Sequence, residues 1–149
     1  ETIVCEACEY VDTFLQLHPA FSIILNIDGD HLDYFGTLDN IIKSFHQFCL
    51  QTSGCILVNG DNENAMRAVA GITHAKVLTF GRSASCDYYV SELNEEDTAC
   101  EDFTIMHGDE RVCRVNLHVP GEHNMMNALA AAAAAHYFGV DGANIKTAL

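Results

Sequence analysis

The sequence predicts an α/β fold: a mostly parallel sheet flanked by helices, with a small antiparallel β appendage in its second half. Three observations predict it. Apolar runs at 21–25, 55–59 and 76–80 alternate with helical patterns over short connections, the signature of a mostly parallel sheet with right-handed crossovers. The first two runs empty into polar turns, 26–33 and 60–64, and an open α/β sheet binds its ligands outside the carboxyl ends of its strands. From residue 87 apolar and polar residues alternate with period two, as antiparallel strands require.

Taken in order, residues 2–5 read as a short β-branched strand that delivers Glu6 and Glu9 to its carboxyl end. Val11, Phe14, Leu15 and Leu17 have near-helical spacing and Pro19 follows, which predicts a short helix or turn over 10–17. The run 21–25 is continuous, so it is expected to be a strand buried on both faces. Its exit carries Asp28, Asp30, His31 and Asp33, hard oxygen donors with one imidazole, which suit Mg²⁺ or Mn²⁺ better than a closed zinc site. Thr37 or Asp39 can cap the next helix, whose apolar residues Leu38, Ile41, Ile42, Phe45, Phe48, Cys49 and Leu50 recur at three and four; Gly54 is expected to end it. His46 beside that stripe reads as packing or surface. A strand at 55–59, a short helix at 64–70 and a strand at 76–80 follow.

The antiparallel part is expected roughly over 87–119, with His107-Gly108-Asp109-Glu110 as a hairpin turn and the acidic stretch 92–101 as a solvated loop. His107 and His118 show no partner pattern. Pro120-Gly121 then breaks the last strand, and an alanine-rich helix small enough to pack closely on a sheet begins. Asn124 and Asn127 fall on one face of its first turn. Their amides offer donor and acceptor together, as the edge of a nucleobase requires, while helix capping by Asn124 is the competing use.

Composition narrows the function. With 149 residues and 49% hydrophobic content the chain can bury a real core. Seven Lys and Arg stand against 21 Asp and Glu, a formal net charge of -14, which argues against gripping nucleic acid or an anionic membrane and favours a cation cofactor. The 7 Cys are odd in number. Cys5 and Cys8 have C-x-x-C spacing but no second pair, and Cys5 reads as a buried strand thiol; so many free thiols point to a reducing cytoplasm. No charged-then-apolar leader and no bilayer-spanning run is present. The chain starts without Met and ends inside a helical pattern, as a piece of something longer would.

Three stretches in sequence resemble the central, ATP-binding domain of the Mur ligase family. They are Glu6-Ala7-Cys8-Glu9 followed by Phe14-Leu15; Asn26-Ile27-Asp28-Gly29-Asp30-His31-Leu32-Asp33; and Gly121-Glu122-His123-Asn124-Met125-Met126-Asn127-Ala128 with its alanine run. The resemblance runs along essentially the whole chain and implies a P-loop NTPase-like fold, incomplete here. It implies an ATP-dependent ligase: ATP phosphorylates a carboxylate to an acyl phosphate, an amine attacks, and phosphate leaves as the amide forms. The implied cofactors are ATP and Mg²⁺, and the implied substrates are UDP-N-acetylmuramic acid and L-alanine, in cytoplasmic peptidoglycan synthesis.

By motif position the resemblance makes Glu6 and His31 the catalytic and metal-binding residues. Glu6 would hold the Mg²⁺ on the nucleotide phosphates and His31 a second Mg²⁺, with Asp30 behind them. His123, Asn124 and Asn127 would hold the adenine, Asn127 foremost at the base edge. Cys8 stands where the family often carries Asp. The chain contains no G-x-x-G-K-[ST] loop. The resemblance places that loop and a UDP-sugar domain before residue 1, and an amino-acid-binding domain after residue 149. Competing readings are a murein tripeptide-recycling ligase, a metal-dependent phosphoesterase and a non-catalytic nucleotide-binding module.

Overall fold

The computed structural model describes residues 2–94 and 101–149. Six strands lie in sequence order in one sheet: β1 (Phe21–Ile24), β2 (Cys55–Asn59), β3 (Lys76–Gly81), β4 (Tyr88–Asn94), β5 (Glu101–His107) and β6 (Glu110–Leu117). β1 to β4 pair in parallel and β4 to β6 antiparallel. β3 and β4 overlap only at Phe80 with Tyr88 and Gly81 with Tyr89, because so short a connection cannot carry the chain back along β3. β4 therefore runs on past the carboxyl end of β3, and the antiparallel strands extend the sheet rather than hang from it. The Asp87 carboxylate holds the junction by accepting from the Thr79 amide at 2.7 Å and the Thr79 hydroxyl at 2.8 Å.

Helices cover both faces. On one, α2 (Leu38–Gln51) and α3 (Glu63–Ala68) set Ile41, Ile42, Cys49, Ala65 and Ala68 against Ile24, Ile56 and Val58. On the other, α4 (Glu122–Tyr137) and α5 (Gly142–Ala148) set Met125, Ala128, Leu129, Ala132, Ala133 and Ile145 against Leu57, Leu78, Phe80, Phe103, Ile105 and Val115. Alanines let the α4 backbone approach the sheet closely. At Gly142 the approach is closer still: a Cβ there would stand 1.9 Å from the Val112 carbonyl oxygen. α2 begins at Thr37, whose side chain accepts from the Asn40 amide, and α3 at Asn62, whose side chain accepts from the Ala65 amide. His46 is a packing residue, its Nδ1 donating to the Ala68 carbonyl at 2.7 Å.

Four expectations need correction. Residues 2–5 form no strand; Ile3 is 86% and Val4 91% exposed, and Cys5 is an exposed thiol rather than a buried one. Among the described residues β1 consequently pairs with β2 alone, at the edge of the sheet. It is buried on one face, with Ile24 2% and Ile23 40% exposed, not on both. α2 stops at Gln51, with Thr52 already extended, so Gly54 serves the turn into β2 instead of ending the helix. Of the stretch 92–101 expected as a loop, 92–94 lengthen β4 and Glu101 begins β5; residues 95–100 lie outside the described residues. His107, for which the sequence shows no partner pattern, is a packing residue: its ring lies flat on Tyr88 with centroids 4.3 Å apart.

Candidate active site

The turn leaving β1 is fixed from the neighbouring strand end. Ile27, 1% exposed, plugs it into the core. The Ile27 amide donates to Asn62 Oδ1 at 3.4 Å, and Asn64 Nδ2 donates to the Ile27 carbonyl at 3.0 Å. Beyond that plug the chain doubles back, the Asp30 amide donating to the Asp28 carbonyl at 2.9 Å. His31 takes a left-handed conformation, φ 51°, which starts the single turn α1 (Leu32–Phe35). Asp30 Oδ1 accepts the His31 amide at 2.7 Å, setting that carboxylate beside the imidazole.

The second wall is the 3-10 segment Tyr10–Gln16, which folds over α1 and α2. Glu9, just before it, reaches His31: Glu9 Oε1 lies 3.6 Å from Nε2, and Asp30 Oδ1 3.9 Å from Nδ1. One ligand atom from each of Glu9, Asp30 and His31 falls within 4.8 Å of the others. The Tyr10 ring packs on the His31 ring at 4.8 Å. The group faces solvent, with His31 and Glu9 about one-third exposed and Asp30 largely so, so incoming ligand atoms can reach it. Alongside runs an open cleft of about 480 Å³ bordered by Asp12, Leu15, Tyr34, Lys43 and Ser44. The Tyr34 hydroxyl donates to Asp12 Oδ2 at 2.9 Å, and that hydrogen bond, with burial and the carboxylate's charge, raises the Tyr34 pKa.

The other wall of the sheet's carboxyl edge is the entrance of α4. Gly121 precedes it at φ 112°, and its amide donates to Glu101 at 3.0 Å. Arg82, just past β3, bonds Glu122 at 3.1 Å and so pins this entrance beside the parallel strand ends. His123 and Asn127 are exposed. Asn124 turns its Nδ2 back to the Pro120 carbonyl at 2.9 Å, bracing the turn rather than capping the helix.

The sequence-predicted residues thus fall into two groups at one edge of the sheet. His31 and Asp30 come together, joined by Glu9. Glu6 stays exposed and outside the cluster, because 2–5 does not pair with β1 and so does not aim it. Asp28 accepts from Asn26 Nδ2 at 3.0 Å, and Asp33 sits in the turn of α1. His123, Asn124 and Asn127 lie across the edge from His31. Sequence reasoning missed Tyr10, Asp12, Tyr34 and Ser44, and nothing local marks them, since each matters through a partner distant in the chain.

A sequence profile described as the Mur ligase middle domain matches residues 1–135. The chain belongs to that family. The Mur ligase middle domain described here is 38% identical over 151 residues to a protein of Agathobacter rectalis named UDP-N-acetylmuramate–L-alanine ligase; the match covers 100% of this chain and 33% of that one. Among solved structures it resembles the UDP-N-acetylmuramate:L-alanyl-gamma-D-glutamyl-meso-diaminopimelate ligase of Neisseria meningitides (TM-score 0.78, 28% identity, 92% of this chain and 41% of that one). It also resembles UDP-N-acetylmuramate-alanine ligase of Thermotoga maritima (TM-score 0.74, 26% identity, 93% of this chain and 30% of that one). This Mur ligase middle domain spans about a third of the length of the curated relatives it matches. No helix among the described residues is long and apolar enough to cross a membrane.

Proposed function

We propose that this chain is the ATP-binding part of a ligase that joins L-alanine to UDP-N-acetylmuramic acid through an acyl phosphate, in cytoplasmic peptidoglycan synthesis. The observation that carries the reading is the meeting of Glu9, Asp30 and His31 at the carboxyl edge of the sheet in a chain of this family. The curated relatives that match at 35% and 38% identity bear the alanine-ligase name, which favours L-alanine as the amine.

The donor set of two carboxylates and an imidazole fits Mg²⁺, which when bound would offset charge on the transferred phosphoryl group. His31 is its proposed ligand, with Asp30 fixed behind the imidazole and Glu9 facing it; the exposed Glu6, three residues ahead of Glu9, is the proposed ligand for Mg²⁺ on the nucleotide. Across the edge, Asn127 presents an exposed amide for the adenine edge. Asn124 holds the turn and His123 flanks it. The phosphate loop, the sugar-nucleotide domain and the amino-acid domain are proposed to lie on sequence outside these residues.

The test is phosphate release from ATP by the full-length protein supplied with UDP-N-acetylmuramic acid and either L-alanine or the stem tripeptide. Release with L-alanine alone is expected. Release only with the tripeptide would move the protein to the recycling branch, and release needing neither acceptor would make it a phosphoesterase.

A further inference from the structure

Asp12 supplies none of the clustered donor atoms, yet the geometry around it is forced. Val11 (φ 55°, ψ 30°) and Asp12 (φ 56°, ψ 25°) are consecutive left-handed residues, a conformation that a β-branched side chain resists. With His31 they account for three of the four non-glycine residues at positive φ among the described residues. Backbone held in such regions persists only where surrounding contacts over-determine it, and it gathers at functional sites. The contacts here converge on one carboxylate. Asp12 accepts from the Tyr34 hydroxyl at 2.9 Å and, through its other oxygen, from the Ser44 hydroxyl of α2, while its amide donates to the Glu9 carbonyl at 2.9 Å. Tyr34 in turn donates its amide to the His31 carbonyl at 3.0 Å.

We propose that Asp12 is a positioning residue: it clasps the turn bearing Glu9 and Tyr10 to the turn bearing His31, and so sets the spacing of Glu9, Asp30 and His31. The proposal rests on the metal reading of that group. Two hydroxyl donors meeting two carboxylate oxygens explain why the position needs Asp. Asn has the same shape and tolerates the left-handed backbone, but offers one acceptor and one donor where two acceptors are needed. Ligand groups must be held to a fraction of an ångström by the residues behind them, and losing such a supporting contact typically weakens metal affinity about 10–100-fold.

The experiment is the Mg²⁺ dependence of phosphate release by the full-length protein, with Asp12→Asn, Tyr34→Phe and melting temperature measured in parallel. Asp12→Asn is expected to raise the half-saturating Mg²⁺ concentration about tenfold while the KM for L-alanine at saturating Mg²⁺ stays near wild type; Tyr34→Phe should move Mg²⁺ dependence the same way by less. An Asp12→Asn protein with the wild-type Mg²⁺ requirement, whatever its melting temperature, would overturn the proposal and leave Asp12 a purely structural clasp. If the wild-type protein shows no amine-dependent release, the ligase reading fails by itself. The clasp is then read from Mn²⁺ binding by electron paramagnetic resonance, where equal affinities of wild type and Asp12→Asn would overturn it.

Discussion

Two histidines in this domain sit beside a tyrosine and a glutamate, and they do opposite work. His31 packs on Tyr10 at 4.8 Å with Glu9 at 3.6 Å, on a left-handed turn open to solvent. His136, in the last turn of α4, meets the Tyr88 hydroxyl at 3.0 Å with Glu110 at 4.0 Å. Tyr88 is 1% exposed and its ring lies flat on His107. The residue types match, but in the second cluster the tyrosine is buried and its hydroxyl is spent on the imidazole. The first leaves carboxylate and imidazole atoms facing outward. Residue identity thus does not distinguish a site from a brace; what distinguishes them is whether the polar atoms are already satisfied.

The sharpest way to break the comparison is to delete each imidazole in the full-length protein. His31→Ala is expected to reduce amine-dependent phosphate release about a hundredfold, the upper part of the range for lost metal support, with little change in melting temperature. His136→Ala should do the reverse, lowering stability and keeping release within about twofold of wild type, since it touches no proposed ligand. Similar losses of activity in both would erase the distinction.

A second test uses the thiols. Cys49 is fully buried and its pKa is pushed up to about 12 by burial, and burial likewise raises Cys55, Cys86 and Cys113. Cys5 and Cys8 are exposed. Native protein at pH 8 should therefore be alkylated at Cys5 and Cys8 while Cys49 reacts only on unfolding, as peptide mass mapping would show. The raised Cys49 value also sets a direction with pH. Its contribution to stability is complete below the ordinary thiol pKa of 9.0 and is lost as pH rises through about 12. Urea unfolding at pH 8 and pH 10 should show the decline.

Legibility in the sequence followed the range of the forces involved. β2, at Cys55–Asn59, lies where the run predicted it, because continuous burial writes itself into consecutive residues. α2 was legible for the same reason, as an apolar stripe with a capping Thr37. Residues 2–5 carry the right β-branched types but pair with no strand among the described residues, and propensity without pairing leaves them exposed. Asp30 and His31 were legible because the turn holding them follows a strand. That Glu9 rather than Glu6 meets His31 was not, because it depends on two successive left-handed residues, one of them a valine, against local preference.

The smallest expected effect probes the brace itself. Tyr88→Phe keeps the ring on His107 and removes only the hydroxyl that His136 Nδ1 meets. A neutral hydrogen bond contributes about 1 kcal/mol net, and its loss costs more when the orphaned partner stays buried. His136 keeps partial solvent access, its side chain being 22% exposed, so water can take the vacated place and the loss should stay near about 1 kcal/mol. Chemical denaturation should show the transition midpoint shifted to lower urea with an unchanged slope. A change in slope would mean that the hydroxyl does more than brace, coupling the end of α4 to the antiparallel strands so that they unfold as one unit. The difference between the two histidines would then be one of exposure alone, since both would organise structure beyond their own contacts.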